Sequence, residues 1–137
     1  MTHQEVFEFH TKGRGMSEVT GEVTAIVARC PAGAGVAHVF VRHSSCSLLI
    51  TENAAPDVRR DLETLAGRWA PDGDPAYRHN LEGADDMAAH ARSMLSGTFV
   101  TVPVSDGRLL LGTWHGIYLW EHRTRGHVRE IVVTVLR

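Results

Sequence analysis

Residues 98–136 decide the fold: TFVTVPVSDGRLLLGTWHGIYLWEHRTRGHVREIVVTVL. Short turns at 105–107 and 124–126 divide this segment, and β-branched and aromatic residues are frequent on either side of them. We expect the long middle part to be interrupted at Gly112 and Gly116, because glycine within a strand marks a bulge or a close backbone approach. The pattern predicts three consecutive strands, Thr98–Val104, Arg108–His122 and Val128–Leu136.

Upstream of this segment, strands and helices alternate. Extended or apolar runs predict strands at Glu5–His10, Val36–His43 and Ser47–Thr51. Helical spacing and capping signals predict helices from an N-cap at Ser17 to about Cys30, over 56–69, and over 84–96. The order β-α-β-β-α-α-β-β-β is typical of an α+β fold, with helices packed on a mainly antiparallel sheet.

Each predicted helix has an apolar face that we expect to be buried. The residues concerned are Val19, Val23, Ile26, Val27 and Cys30 in the first helix, Val58, Leu62, Leu65 and Trp69 in the second, and Met87, Ala91 and Met94 in the third.

Length and composition predict one globular domain over residues 1–137. Fourteen basic and 16 acidic residues give a net charge of −2, which argues against nucleic acid as a partner. The N-terminal MTHQEVFEFH lacks a basic and an apolar targeting region, and no apolar run approaches the roughly 20 residues needed to cross a bilayer. We therefore expect a cytoplasmic protein without membrane contacts, and Cys30 and Cys46 as buried thiols rather than a disulfide framework.

Nine histidines supply candidates for metal binding and proton transfer. His43 shares a strand face with Val39 and Val41 and is followed by Ser44 and Ser45. It is either a ligand or general base at a pocket mouth, or a histidine at the edge of the core that is satisfied by the backbone.

Two carboxylates and an amide surround the start of the second helix, at Glu52, Asn53 and Asp57. Acidic residues at a helix start stabilise it by about 0.3–1 kcal/mol without any catalytic role, which explains Asp57. Glu52 lies before the cap and is less well explained. The same helix start, with Arg59 beside it, would also attract a phosphate.

The densest polar segment runs from His79 to His90. Asp86 and His90 are four residues apart and therefore neighbours on one helix face, and His79 lies in the preceding loop. The three are candidates for a metal or catalytic centre. The alternative is a helix with acids at its start and one histidine at the core.

Alternation along 112–122 places His115, Ile117, Leu119 and Glu121 on one face and Trp114, Tyr118 and Trp120 on the other. Glu121 ends an apolar stripe, and an acid in that position needs a partner or a role. We expect the aromatic face to be core or subunit interface. Arg123, Arg125 and Arg129 are interpreted as a solvated turn, with a phosphate clamp as the alternative.

Three segments together resemble one known family: HSSCSLLITENAAPDVRRDLE, RHNLEGADDMAAHARSMLSGTFVTVPVSDGRLLLGTWHGIYLWEHR and REIVVTVL. They are similar to the YjbQ family, also called the UPF0047 or secondary thiamine-phosphate synthase family. The resemblance implies a small α+β domain assembled as a homotrimer. It also implies a weak ability to join a pyrimidine diphosphate to a thiazole phosphate, which makes thiamine phosphate.

The family's motifs map onto His43, Ser44 and Ser45, onto Glu52, Asn53, Ala55, Pro56, Asp57 and Val58, onto His79, Asn80 and His90, and onto Gly112, Thr113, Trp114, His115 and Glu121. Three positions depart from the family pattern. Ala55 replaces a frequent Asp, Ala88 replaces the first histidine of an H-x-H, and His115 replaces the usual Gln. The change at Ala88 puts one metal ligand in doubt, and His115 either restores a ligand or alters substrate contacts.

These observations lead to the hypothesis of a transferase-like enzyme whose pocket lies between subunits and binds a small phosphorylated metabolite. The expected catalytic residues are His43, Glu52 and Asp57, and the expected substrate contacts are Ser45, Asn53, His115 and Glu121. A divalent metal, Zn or Mg, is expected at His79, Asp86 and His90, with the rings of His43, His79 and His90 around one cavity. The alternatives are a non-catalytic binding protein for a phosphorylated metabolite and a metal-dependent hydrolase.

Overall fold

The computed structural model describes residues 2–137, so Met1 lies outside it. Within this range the strands are β1 Thr2–His10, β2 Gly15–Glu18, β3 Ala34–Val41, β4 Cys46–Glu52, β5 Phe99–Ser105, β6 Arg108–Leu109, β7 His115–Glu121 and β8 Val128–Leu136. The helices are α1 Thr20–Ala28, α2 Pro56–Trp69 and α3 Asp86–Ser96.

The strands form two antiparallel sheets. The larger has the order β1-β8-β3-β5-β6 and the smaller the order β2-β7-β4. Each neighbouring pair is antiparallel in its register. The predicted α+β class is therefore confirmed, with two sheets in place of the single sheet that the pattern suggested.

One apolar core lies between the two sheets and α1. From β3, β8 and β5 it takes alternate residues, among them Val39 and Val133, and from β4 and β7 it takes Leu48 and Leu119. The predicted apolar face of α1 is confirmed, since Val19, Val23, Ile26, Val27 and Cys30 are all buried. Cys46 is also buried, and burial raises the pKa of its thiol to about 12.

The helices α2 and α3 cover the opposite face of the smaller sheet. The indole N–H of Trp120 donates to Glu63 Oε1 at 3.1 Å, and Ser93 Oγ donates to the Cys46 carbonyl at 2.8 Å. The guanidinium of Arg59 lies 5.1 Å from the centre of the Tyr118 ring. The predicted division of β7 into an aliphatic and an aromatic face is thus confirmed, and the aromatic face is covered by helices.

Two predicted elements are wrong in more than the exact positions of their ends. Ser17 is not an N-cap: it lies in β2 opposite Leu119, and α1 begins only at Thr20. The predicted strand 108–122 is two strands in different sheets, since the chain crosses from one sheet to the other between β6 and β7. At this crossing the Gly112 N–H donates to His115 Nδ1 at 2.9 Å, and a Cβ on Gly112 would lie 3.1 Å from that nitrogen.

The predicted faces of α2 and α3 are wrong at their outer positions. Trp69 is 64% exposed and Met94 is 77% exposed. Instead α3 buries Asp86, Ala88, Ala89, Arg92 and Ser93. Polar side chains occupy that stripe because each has a partner, as Arg92 has in Glu63 at 2.7 Å. Within the described residues, none of the helices is long and apolar enough to cross a membrane.

Glycine substitutions provide a test of the packing. Gly126 lies in the turn before β8, and a Cβ there would collide with the backbone carbonyl oxygen of Thr11. We expect Gly126→Ala to lower the free energy of unfolding by about 1–3 kcal/mol, the usual cost of overpacking. The matched control is Gly21→Ala in α1, where the added Cβ meets nothing within 4 Å. Helix propensity then predicts a gain of about 0.5–1 kcal/mol.

Chemical denaturation of the two variants measures both values. Equal stability of Gly126→Ala and the unsubstituted protein would contradict the close approach of the 126 turn to Thr11.

Candidate metal centre

The predicted cluster of His79, Asp86 and His90 forms in the structure. His79 Nε2 lies 2.6 Å from Asp86 Oδ2, and His90 Nε2 lies 3.6 Å from Asp86 Oδ1. The two ring centres are 5.3 Å apart. One ligand atom from each residue can be chosen so that all three lie within 4.8 Å of one another.

Local structure explains this convergence. Asp86 is the first residue of α3 and His90 lies one turn later, so both side chains lie on the same face. His79 reaches them from the preceding loop. The Asp86 side chain is only 3% exposed, whereas His79 and His90 are 53% and 35% exposed. The carboxylate is therefore sheltered and the imidazoles are open to an incoming ligand.

The donor set fits a zinc-type cation better than magnesium. Two imidazole nitrogens and one carboxylate are a common three-ligand set for catalytic zinc, which keeps a further position free. Magnesium prefers an all-oxygen, octahedral shell. A Zn–N bond is about 2.0–2.1 Å, so ligand atoms spaced by less than 5 Å need small side-chain rotations to close on such an ion.

Arg123 connects the cluster to the turn between β7 and β8. Its Nε donates to Asp85 Oδ2 at 3.0 Å, and one terminal nitrogen donates to Asp86 Oδ1 at 3.1 Å. The other terminal nitrogen donates to the Glu82 carbonyl at 2.8 Å. Burial alone would raise the pKa of Asp85, but hydrogen bonds from the Thr124 N–H and from Arg123 hold it well below its usual range.

One open depression includes a residue of the cluster, and a second is lined by the neighbours Asp85 and Arg123. One of about 360 Å³ is lined by residues of the 73–84 loop, including His79 and Asn80. The other, of about 450 Å³, is lined by Glu82, Gly83, Asp85 and residues 123–127. We call this second one the turn depression. Its lining includes Arg123, which bonds Asp86, together with Arg125 and His127.

Glu121, a predicted substrate contact, forms a buried ion pair. Arg129 donates to it through Nε at 2.8 Å and through a terminal nitrogen at 2.5 Å. Thr11 Oγ1 and the Arg123 N–H also donate to its carboxylate, at 2.7 and 3.1 Å. Burial would raise the pKa of Glu121, but these partners lower it below its usual value. Its side chain is only 1% exposed, so the carboxylate is not open to a substrate.

The interpretation of Arg123, Arg125 and Arg129 as a solvated turn is wrong for two of the three. Arg129 is 4% exposed and neutralises Glu121, and Arg123 is held by the acids around α3. Only Arg125 is exposed. The buried carboxylate of Glu121 needs a cation buried beside it, and Arg129 supplies that cation.

His43 and Ser45 lie beside the same ion pair. Ser45 Oγ accepts a hydrogen bond from Arg129 at 2.9 Å, and His43 Nε2 accepts one from the Glu130 N–H at 3.0 Å. Since Nε2 is an acceptor, the proton of the neutral ring resides on Nδ1. Burial, and then Arg129, lower the pKa of His43. The geometry thus favours His43 as a hydrogen-bond donor through Nδ1.

His43 does not share a cavity with the metal cluster. It lines a separate depression of about 330 Å³ together with Glu8, Arg42, Val128 and Glu130. Within residues 2–137, His43 makes no hydrogen bond to His79, Asp86 or His90. Of the three histidine rings expected around one cavity, those of His79 and His90 lie together, whereas His43 lines a different depression of the same chain.

The remaining predicted site residues lie at the other end of the smaller sheet. Strand pairing places Glu52 opposite His115, and Cys46 opposite Glu121. Six residues at about 3.3 Å each separate these ends by roughly 20 Å. Within one chain, the residues around Glu52 and those around Glu121 therefore do not form a single pocket.

At that distant end the polar groups are partly used in local structure. Glu52 accepts the Ala55 N–H at 2.7 Å, and Asn53 donates to the His115 carbonyl at 3.2 Å. The Asp57 side chain is 83% exposed and lies 3.9 Å from Arg60. This agrees with the helix-start interpretation of Asp57.

Sequence patterns missed one buried polar pair, Ser47 and His122. Ser47 Oγ lies 2.7 Å from His122 Nε2, and both residues are fully buried. Within the described residues, His122 Nδ1 has no hydrogen-bond partner. Burial lowers the pKa of His122 to about 3. If the alternation of β7 is continued by one residue, His122 lies on the same face as Trp120. This pattern could have identified His122 as a buried residue from the sequence.

The architecture and the cluster define a class: a two-sheet α+β domain that carries a two-histidine, one-carboxylate centre at the start of its last helix. The family model described as UPF0047 protein YjbQ-like matches residues 5–137, and the chain belongs to this family.

Similar proteins agree with this assignment. The UPF0047 protein sll1880 of Synechocystis is 45% identical over 97% of this chain and 90% of its own length. The UPF0047 protein YjbQ of Escherichia coli is 40% identical over 98% of both chains. A crystal structure of the conserved hypothetical protein TT1486 from Thermus thermophilus superposes with a TM-score of 0.86, at 33% identity, covering 96% of this chain and 99% of that one.

The buried His122 predicts a loss of stability in acid. Its pKa is near 6.5 in the unfolded chain and about 3 in the folded protein, so the unfolded state binds a proton first. Stability is therefore lost as the pH falls from about 6.5 towards 3. Linkage gives a loss of about 2–3 kcal/mol by about pH 4.5.

Denaturation of the unsubstituted protein and of His122→Gln as a function of pH measures this loss of stability. The variant has no ring to protonate, so its free energy of unfolding should fall less steeply below pH 6.5. His10→Gln, at an exposed histidine, is the matched control. Parallel curves for His122→Gln and the unsubstituted protein would contradict the shift.

Proposed function

We propose that the chain is a small metabolic enzyme that binds a zinc-type divalent cation at His79, Asp86 and His90 and acts on a phosphorylated metabolite. The observation that carries this proposal is the convergence of two open imidazoles on one sheltered carboxylate. Such a set supplies three ligands and leaves a further position for a substrate oxygen.

For the reaction, we propose a weak transferase activity of the thiamine-phosphate synthase type, which the sequence resemblance implies. A pyrimidine diphosphate is joined to a thiazole phosphate, the bond to the diphosphate breaks, and the diphosphate leaves with the bonding electron pair. The chemistry that a bound cation supplies in this place is neutralisation of the negative charge on that leaving group.

The turn depression is the proposed place for the substrate's anionic groups. It adjoins the cluster through Asp85 and Arg123, and it offers the exposed Arg125 and half-buried His127. The Nδ1 of His127 lies 2.9 Å from the Arg125 carbonyl, which leaves its Nε2 side for a ligand. Phosphate oxygens are bound well by such charge-assisted donors.

An assembly of several copies would bring predicted site residues from the two ends of the smaller sheet into one pocket. We propose that Glu52, Asn53, Asp57 and His115 contact substrate at a pocket completed by a second subunit of a homotrimer. Exposed apolar side chains support an assembly, including Val6, Phe40, Phe99 and Leu136 on the larger sheet. A cytoplasmic location belongs to the same proposal.

Metal binding is the first test. We expect the purified protein to bind Zn²⁺ at one ion per chain in isothermal titration, and His90→Ala to lose at least about 100-fold in affinity because an essential ligand is gone. His38→Ala is the matched control, since His38 lies on β3 and bonds Thr101 at 3.0 Å, away from the cluster. Full Zn²⁺ occupancy of His90→Ala would count decisively against this site.

Turnover is the second test. We expect isotope-labelled pyrimidine diphosphate and thiazole phosphate to give labelled product with the Zn²⁺-loaded protein. His43 lines a different depression from the cluster, so in the proposed homotrimer it acts on substrate held by a second subunit, and His43→Ala should lower the rate by about tenfold or more. His38→Ala should leave the rate unchanged. No product at all would favour the non-catalytic binding protein, and equal rates for His43→Ala and the unsubstituted protein would indicate adventitious activity.

A further inference from the structure

Arg123 is the centre of a small network that we call the clasp, formed by Arg123, Asp85, Asp86 and the Glu82 carbonyl. All three nitrogens of the guanidinium have a partner in it, at 3.0, 3.1 and 2.8 Å. The side chain is 19% exposed, so the clasp is partly sheltered from solvent. An arginine with every nitrogen engaged is fixed in position and orientation.

The two consecutive acids of the clasp, Asp85 and Asp86, have different hydrogen-bond partners. Asp85 Oδ2 accepts from Arg123 Nε and also from the Thr124 N–H at 2.8 Å and the Thr124 hydroxyl at 3.2 Å. Its carboxylate is therefore committed to the turn between β7 and β8. Asp86 gives only Oδ1 to Arg123, while Oδ2 faces His79.

Two opposite effects of Arg123 on a cation at Asp86 must be compared. Its positive charge repels a divalent ion, but Asp85 lies against the same guanidinium and compensates that charge. Its hydrogen bond to Oδ1, the oxygen that lies 3.6 Å from His90 Nε2, restricts rotation of the Asp86 carboxyl and keeps Oδ2 against His79. Partners of this kind, which orient a metal ligand from behind, typically change metal affinity by about 10–100-fold.

We propose that Arg123 is a positioning residue for the metal centre: the clasp engages Oδ1 of Asp86 and holds the carboxyl so that Oδ2, the oxygen without a bond to Arg123, is the one presented to a cation between His79 and His90. The proposal rests on the metal site put forward above. It assigns Asp85 to the support of that site and excludes it from the ligands. It also makes the backbone of the β7–β8 turn part of the metal centre, because the Arg123 N–H is anchored on Glu121 at 3.1 Å.

The test removes the clasp without changing the net charge. In the double variant Asp85→Asn/Arg123→Gln one negative and one positive group disappear together, so electrostatic attraction for the cation is conserved to first order. We expect its Zn²⁺ dissociation constant, measured by titration against a chromogenic chelator, to rise by about 10–100-fold. The visible spectrum of the Co²⁺-loaded variant should also change, because the carboxylate is free to bind through either or both oxygens.

Two single variants separate position from charge. Arg123→Lys keeps the charge but lacks the planar fork. Its Zn²⁺ affinity and its Co²⁺ spectrum should therefore lie between those of the unsubstituted protein and those of the double variant. Arg125→Gln is the matched control: it removes an exposed positive charge from the same turn, and its effect on affinity should stay within roughly twofold because such a charge is screened. Thermal unfolding confirms that each variant is folded, and if the double variant is not, the comparison of Arg123→Lys with Arg125→Gln decides.

The outcomes distinguish this inference from the proposed function. If His90→Ala loses Zn²⁺ but the double variant or Arg123→Lys binds it like the unsubstituted protein, with the same Co²⁺ spectrum, the clasp does not position Asp86 and the metal site stands. If the unsubstituted protein binds no Zn²⁺, both proposals are overturned.

Discussion

The buried ion pair of Glu121 and Arg129 is the interaction on which the arrangement of the polar residues depends. Glu121 ends β7 in the smaller sheet, and Arg129 begins the inward face of β8 in the larger one. Their two hydrogen bonds therefore tie the sheets together at one end of the core. Removing one partner of such a pair usually costs about 3–5 kcal/mol, because the remaining charge is left buried.

Other polar groups take their positions from this pair. The N-terminal segment reaches it through Thr11, the β4 end reaches it through Ser45, and the turn that carries Arg123 is held by its backbone N–H. Arg123 then reaches the acids at the start of α3, and through Asp86 the two histidines. The cluster of His79, Asp86 and His90 is thus fixed to the sheets by a continuous series of hydrogen bonds.

The fold could be predicted well wherever a local pattern decides it. Helix α2 has the predicted bounds of 56–69, because Pro56 sets its start, and β8 alternates regularly over its predicted range. The split of 108–122 into two sheets could not be predicted in this way. Nothing local distinguishes a bulge within one strand from a crossing between sheets, since both need glycine near 112.

The candidate site was likewise predictable only where local spacing along the chain decides it. The i,i+4 spacing of Asp86 and His90 could be recognised from sequence, and His79 was close enough along the chain to join them. The partners of Glu121 and Asp85 depend on contacts between β8, the 123–127 turn and α3, which spacing cannot give. The sequence pattern therefore predicts solvated arginines at 123, 125 and 129, although Arg129 and Arg123 neutralise buried or half-buried acids.

The separation of roughly 20 Å between the Glu52 and Glu121 ends of the β4–β7 ladder has an energetic consequence. Groups so far apart, without shared neighbours, contribute to folding independently, so substitutions at one end should add to those at the other within about 0.5 kcal/mol. Any non-additivity between them in a biochemical assay would then report a contact that a lone polypeptide does not make.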